Sequence, residues 1–224
     1  MTREQIEVRF TSAGTVHLDW PDDPDGSLLL VLHGYGLPLD YLAAFSRAAA
    51  PRAVIVAPEG PSSFYRRPRR PPGDPDAVGH GWIARLPRAS DDERNDAYLL
   101  AALDGVRRRT RVLPERTCVL GFSQGGGVAT HLMLEHPEIA RGLIVLAGGL
   151  ATAYRHLLPA LRGKDVLWIS GTQDPAYPLP YTEALLRAMR EADVDVDAHA
   201  VESGHDVREP ALPIVRDWLR TTGV

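Results

Sequence analysis

Runs of apolar residues alternate along this chain with stretches whose apolar positions recur at helical spacing. That alternation is the pattern of an α/β fold, a mostly parallel central sheet with helices on both faces. Residues 27–32 (SLLLVL), 53–57 (AVIVA), 117–121 (TCVLG), 142–147 (GLIVLA) and 166–170 (VLWIS) are almost continuously apolar, as strands buried on both faces are. Residues 6–10, 15–20 and 195–201 alternate instead, the first two as exposed edge strands and the third as the last strand of the sheet. Helices are expected over 39–49, 90–109, 124–135, 181–192 and 210–220. Ser90 is placed as an N-cap, with Asp91, Asp92 and Glu93 at the positive end of its helix and Arg107, Arg108 and Arg109 as a solvated terminus at the negative end. No internal repeat and no interdomain linker interrupt the rhythm, so residues 1–224 are expected to form a single domain.

One stretch breaks the rhythm. Residues 60–87 are rich in proline and arginine and read as a long loop near the mouth of the sheet, a candidate lid. Arg66, Arg67, Arg69 and Arg70 lie in it, either as a solvated, proline-stiffened face or as an attractor for acidic esters or an anionic surface.

Composition narrows the classes of function. The chain has 224 residues, is 44% hydrophobic and 24% charged, and carries a net charge of -4, which argues against a broad nucleic-acid-binding face. Its single cysteine, Cys118, leaves no internal disulfide and no cysteine-based metal cluster. The charged start MTREQIEVRF holds no signal-peptide core, and no apolar run reaches the ~20 residues of a membrane span. A cytoplasmic protein without stable membrane insertion is expected, as a monomer or homodimer.

The chemistry is expected at "GFSQG", residues 121–125. A serine between glycines is by itself a common turn. Here a buried strand precedes it and a helix follows, so the turn lifts the Ser123 hydroxyl to the carboxyl end of the sheet. A serine nucleophile needs a base, and the base needs an orienting carboxylate, in the chain order serine, acid, histidine. His131 and His136 lie on the helix that Ser123 opens, His156 follows no strand, and His199 lies within the last strand. His205, in "VESGHD", follows a strand end and fits the base. Asp174, in "VLWISGTQDP", fits the acid. Asp165, Asp193, Asp195 and Asp197 sit at the wrong pole, and Asp206 adjoins the base too closely. Two backbone N–H groups are expected to hold an oxyanion: Gln124, after the nucleophile, and Tyr35, in the "HGYG" loop after the strand over 27–32. His33 in that loop is expected to be a structural hydrogen-bonding residue.

With those residues placed, "LHGYG", "LPERTCVLGFSQGG", "VLWISGTQDP" and "SGHDV" together resemble the phospholipase/carboxylesterase branch of the α/β-hydrolases, which includes bacterial carboxylesterases and acyl-protein thioesterases. The resemblance implies the α/β-hydrolase fold, Ser123, Asp174 and His205 as catalytic triad, and Tyr35 and Gln124 as main-chain donors. It also matches Trp82, in "GHGWIARLP", to a tryptophan that either lines the acyl pocket or packs its loop to the core. The expected function is hydrolysis of short- to medium-chain carboxylic esters, with thioesters as a further class, and with no metal or other cofactor. A peptidase or lactone hydrolase on the same fold stays open. A non-catalytic binding module would call for a broken triad, and all three members are present in order.

Overall fold

The computed structural model describes residues 12–37, 40–65, 78–83 and 89–223. Its centre is a seven-stranded sheet built from β1 (Val16–Asp19), β2 (Leu28–Leu32), β3 (Val54–Pro58), β6 (Thr117–Phe122), β7 (Gly142–Leu146), β8 (Asp165–Gly171) and β9 (Asp197–Val201), in the order β1-β3-β2-β6-β7-β8-β9. Only β1 runs antiparallel, against β3. The other pairs are parallel. The helices are α1 (Asp40–Ala49), α2 (Ala89–Thr110), α3 (Gln124–Glu135), α4 (Leu179–Glu191) and α5 (Arg208–Thr222).

Period-two alternation distributes the sheet's side chains between two cores. Along β2, Leu28, Leu30 and Leu32 join Leu99 and Leu103 of α2, Leu132 of α3 and Leu185 of α4. Leu29 and Val31 face the other way, toward Leu42 and Phe45 of α1 and Val215 and Leu219 of α5. Cys118 is buried in that second core, where desolvation pushes its thiol far up and leaves it inert.

From β2 the chain moves outward to β3, then returns to lay β6 on the other side of β2. The strand order therefore reverses between β2 and β6, and at such a switch the loops leaving the carboxyl ends part to form a crevice. The "HGYG" loop leaves β2 there and the Ser123 turn leaves β6.

Two local readings change, and the segment around His156 takes a defined form. Helix α2 begins at Ala89, so Ser90 lies within its first turn instead of capping it. A 3₁₀ segment, Thr152–Leu161, occupies the stretch around His156. Residues 60–87 are not an irregular loop throughout: β4 (Ser62–Tyr65) and β5 (Val78–Gly81) form an antiparallel ribbon, with Ser62 opposite Gly81 and Tyr65 opposite Val78. Phe64, Tyr65 and Val78 favour extended backbone, and the prolines fall outside both four-residue strands. Arg66, Arg67, Arg69 and Arg70, and the strand expected over 6–10, lie outside the described residues.

Candidate active site

The Ser123 turn is held in a conformation that L-residues rarely adopt. Ser123 has φ 56° and ψ -119°, directly between β6 and α3. Its N–H donates to Leu146 O (2.9 Å), and its carbonyl accepts from Gly126 (3.0 Å) and Gly127 (3.3 Å), so both flanks of the strained residue are pinned. The two glycines are sterically required. A Cβ on Gly121 would run into the backbone of Gly125, and a Cβ on Gly125 into the carbonyls of Leu32 and His33.

Two loops bring the partners to this turn. The β8 loop carries Asp174 and the β9 loop carries His205, and the two are laced together by Thr172 N–H to Val201 O (2.9 Å) and Gln173 N–H to Ser203 O (2.9 Å). They approach so closely that a Cβ on Gly171 would collide with Gly204 O. The result is a continuous polar row: His205 Nε2 lies 2.8 Å from Ser123 Oγ, and His205 Nδ1 lies 2.8 Å from Asp174 Oδ2. The Asp174 side chain is 1% exposed and that of His205 33%. The second carboxylate oxygen of Asp174 accepts from the N–H groups of Ala176 (2.7 Å) and Tyr177 (3.1 Å), which fixes its orientation. The rings of Phe122 (5.2 Å) and Tyr177 (5.9 Å) flank the imidazole. Burial is the main cause that raises the Tyr177 hydroxyl above its ordinary range.

The histidines set aside in the sequence lie elsewhere. His131 faces Asp96 (3.5 Å) and His136 faces Asp96 (3.8 Å) and Glu138 (3.8 Å). His156 bonds Ala153 O and His199 faces Asp197.

The "HGYG" loop folds beside the serine. Gly36 donates to His80 O (2.8 Å) and Leu37 to Gly34 O (3.2 Å), whereas the Tyr35 N–H has no backbone acceptor among the described residues. Gln124 opens α3, where a first-turn N–H has no intrahelical partner. His33 is buried beneath the loop. Its Nε2 accepts from Gly60 N–H (2.9 Å), so the ring proton sits on Nδ1 and is donated to Gly34 O (2.8 Å). Burial, first among its causes, pushes the His33 pKa below its ordinary value and keeps the ring neutral.

Trp82 is fully buried, so the structure favours packing over pocket lining for its ring. Its indole N–H donates to His33 O (2.8 Å), its main-chain N–H donates to Gln124 Oε1 (2.9 Å), and its carbonyl accepts from Asn95 Nδ2 (2.9 Å). The Tyr35 ring, half exposed, stacks on Phe64 at 4.6 Å. Tyr177, Asn95 and Phe64 escape sequence reasoning, because nothing local marks which turn or helix residue will meet a distant loop.

A strand-turn-helix serine, a histidine and a buried aspartate on the carboxyl ends of a mostly parallel sheet define a hydrolase of the α/β-hydrolase fold. The model of the phospholipase/carboxylesterase family matches residues 86–223, and the chain belongs to that family. Among solved structures it is similar to a carboxylesterase from Mesorhizobium loti, with 27% identity and a TM-score of 0.75 over 92% of this chain and 94% of that one. It is similar also to esterase PE8, with 25% identity and a TM-score of 0.75 over 94% of this chain and 100% of that one. The NocK protein of Nocardia uniformis subsp. tsuyamanensis is 32% identical over 184 residues, which cover 79% of this chain and 49% of NocK, so the match spans about half of that relative. The protein is an enzyme with esterase activity at the level of its family.

Proposed function

We propose that this enzyme is a serine carboxylesterase acting on short- to medium-chain carboxylic esters through an acyl-enzyme, with Ser123, His205 and Asp174 as its triad. The observation that carries the reading is the unbroken row from Ser123 Oγ through both ring nitrogens of His205 to Asp174, each step 2.8 Å. A carboxylate only accepts, so Nδ1 bears the proton and Nε2 offers its lone pair to the serine hydroxyl.

Ser123 Oγ attacks the ester carbonyl as Nε2 takes its proton. Asp174, locked by its two main-chain bonds, steadies the imidazolium. The oxyanion is held by the N–H groups of Tyr35 and Gln124. The imidazolium then protonates the leaving alcohol, and the same nitrogen activates the water that releases the acid. Thioesters fit the same sequence of steps, with a thiol leaving. Amide and lactone substrates separate the peptidase and lactonase readings by rate. No helix among the described residues is long and apolar enough to cross a membrane.

The test is hydrolysis of p-nitrophenyl esters from acetate to palmitate by wild type beside Ser123→Ala, with fluorophosphonate labelling of both. Turnover and labelling that vanish in the variant support the reading. Wild-type turnover retained by Ser123→Ala overturns it.

A further inference from the structure

Asp206 and Arg208 follow the base immediately and take no part in the row of the triad. Arg208 grips Asp206 with a two-pronged fork, Nε to Oδ1 (2.9 Å) and Nη2 to Oδ2 (2.8 Å). Its remaining terminal nitrogen, Nη1, donates to Tyr41 O (2.8 Å), and its guanidinium carbon lies 3.2 Å from the centre of the Tyr41 ring. Tyr41 stands in the first turn of α1, the helix that follows the loop carrying Tyr35. The Tyr41 ring faces Phe122 at 6.0 Å and Phe122 faces His205 at 5.2 Å. Phe122 also reaches to 3.0 Å from where a Cβ on Gly34 would sit. Ser203 Oγ donates to Asp206 O (2.6 Å) and closes the turn around His205. The contacts thus form a closed circuit from the base turn through Arg208 and Tyr41 to Phe122 and back to the imidazole.

We propose that Arg208 is a positioning residue for the base. By clamping Asp206 and Tyr41 it fixes the His205 turn against the helix behind the oxyanion loop. It also pairs with the Asp206 carboxylate, which leaves Asp174 as the carboxylate in contact with the imidazole among the described residues. This assignment rests on the reading of Ser123, His205 and Asp174 as a triad. The hydrogen bond from Arg208 is the largest cause holding the Asp206 carboxyl down to about 2. Burial, followed by Asp206, pushes the Tyr41 hydroxyl up to about 12. The clamp therefore keeps one charge state from about pH 5 to about pH 9. The groups around His205 are Ser123, Asp174, Tyr177 and Phe122 on the other elements, and Asp206 and Arg208 on its own, with Tyr41 behind them.

The experiment compares wild type with Arg208→Met, Arg208→Lys, the double variant Asp206→Asn/Arg208→Met, and Arg216→Gln. Arg216 ties the same two helices at the far end of α1, through Ala48 O (3.0 Å), and serves as the control. kcat and KM for one p-nitrophenyl ester are measured from pH 5 to 9, per active site titrated with a fluorophosphonate. Because misplacing a reacting group costs up to about a hundredfold, Arg208→Met is expected to lower kcat about tenfold with KM within about twofold. The bared Asp206 carboxylate favours the imidazolium, so the acid limb of kcat/KM moves up by about half a pH unit. Arg208→Lys falls between wild type and Arg208→Met. The double variant returns the acid limb to its wild-type position while kcat stays low, and Arg216→Gln matches wild type. The proposal is overturned if Arg208→Met keeps wild-type kcat per active site, if its acid limb does not move, or if Arg216→Gln loses as much. Wild-type enzyme that neither turns over esters nor labels at Ser123 would instead remove the triad reading, and the positioning role with it.

Discussion

Replacing Trp82 by phenylalanine separates the two roles this residue could have. The change leaves the Trp82 main chain in place, so the bonds to Gln124 Oε1 and from Asn95 Nδ2 persist. It removes the indole N–H that satisfies the carbonyl of His33, a buried residue. An orphaned buried acceptor costs about 1–3 kcal/mol. The void left by the missing ring atoms adds about 1 kcal/mol, at about 24 cal/mol per Å³ of residual cavity. The sum is about 2–4 kcal/mol, and at about 2–4 °C per kcal/mol for a chain of this length the melting temperature falls by roughly 4–16 °C. The His33 carbonyl borders the loop of the proposed Tyr35 donor, so displacement of that N–H should lower kcat as well, by up to about tenfold. KM and the preferred acyl length stay put, because the fully buried ring offers a substrate no surface. Differential scanning calorimetry and a p-nitrophenyl ester series read both quantities. An unchanged melting temperature together with a shifted acyl-length optimum would refute the reasoning and make Trp82 a wall of the acyl pocket.

Two more perturbations test the site from other directions. Asp174→Asn keeps the shape of the buried side chain but presents the wrong group to His205 Nδ1–H in one amide orientation, and kcat should fall by about 10³–10⁴ with the fold intact by circular dichroism; a loss below tenfold would remove Asp174 from the triad. His33 has a folded pKa below its ordinary value of 6.5, so the unfolded chain takes up the proton first as the medium is acidified. The stability this group contributes is fully present above about pH 6.5, drains as pH falls toward the folded value, and levels off below it. Melting temperature measured from pH 7.5 to 5 should therefore decline more steeply in wild type than in His33→Gln, and equal slopes would show that His33 carries no such linkage.

How much of this was legible in advance differs between elements for physical reasons. The strands β2, β3, β6, β7 and β8 are buried on both faces, and a continuous apolar run is the direct imprint of that burial. The row of Ser123, His205 and Asp174 was legible because each lies just beyond a strand's carboxyl end, and a parallel sheet gathers those ends at one edge. The β4 and β5 ribbon was not, because four-residue strands flanking a proline- and arginine-rich stretch leave too short an alternation to detect. The tie from Arg208 to Tyr41 spans 167 positions, and no local pattern encodes a contact at that separation. The burial of Trp82 was equally silent, since a tryptophan in a loop reads the same whether its ring faces a substrate or the core.

The placement of Trp82 also bears on how the two proposed oxyanion donors, on separate segments, can stay aligned. A preorganised hole requires that its N–H groups not move as charge develops. Tyr35 sits in the loop after β2 and Gln124 at the start of α3, and the described residues show no hydrogen bond directly between them. Both are fastened to a third segment. Trp82 binds the His33 carbonyl through its indole and the Gln124 side chain through its main-chain N–H, while His80, two residues earlier, accepts from Gly36. In the proposed hole Gln124 would offer its main-chain N–H, at the start of α3, while its side chain anchors the turn to the β5 end. This arrangement accounts for the residue between His80 and Trp82. A Cβ on Gly81 would lie 3.1 Å from the Tyr35 ring, so the ring would have to give way, and would reach ordinary contact with Gln124 Oε1 at 3.4 Å.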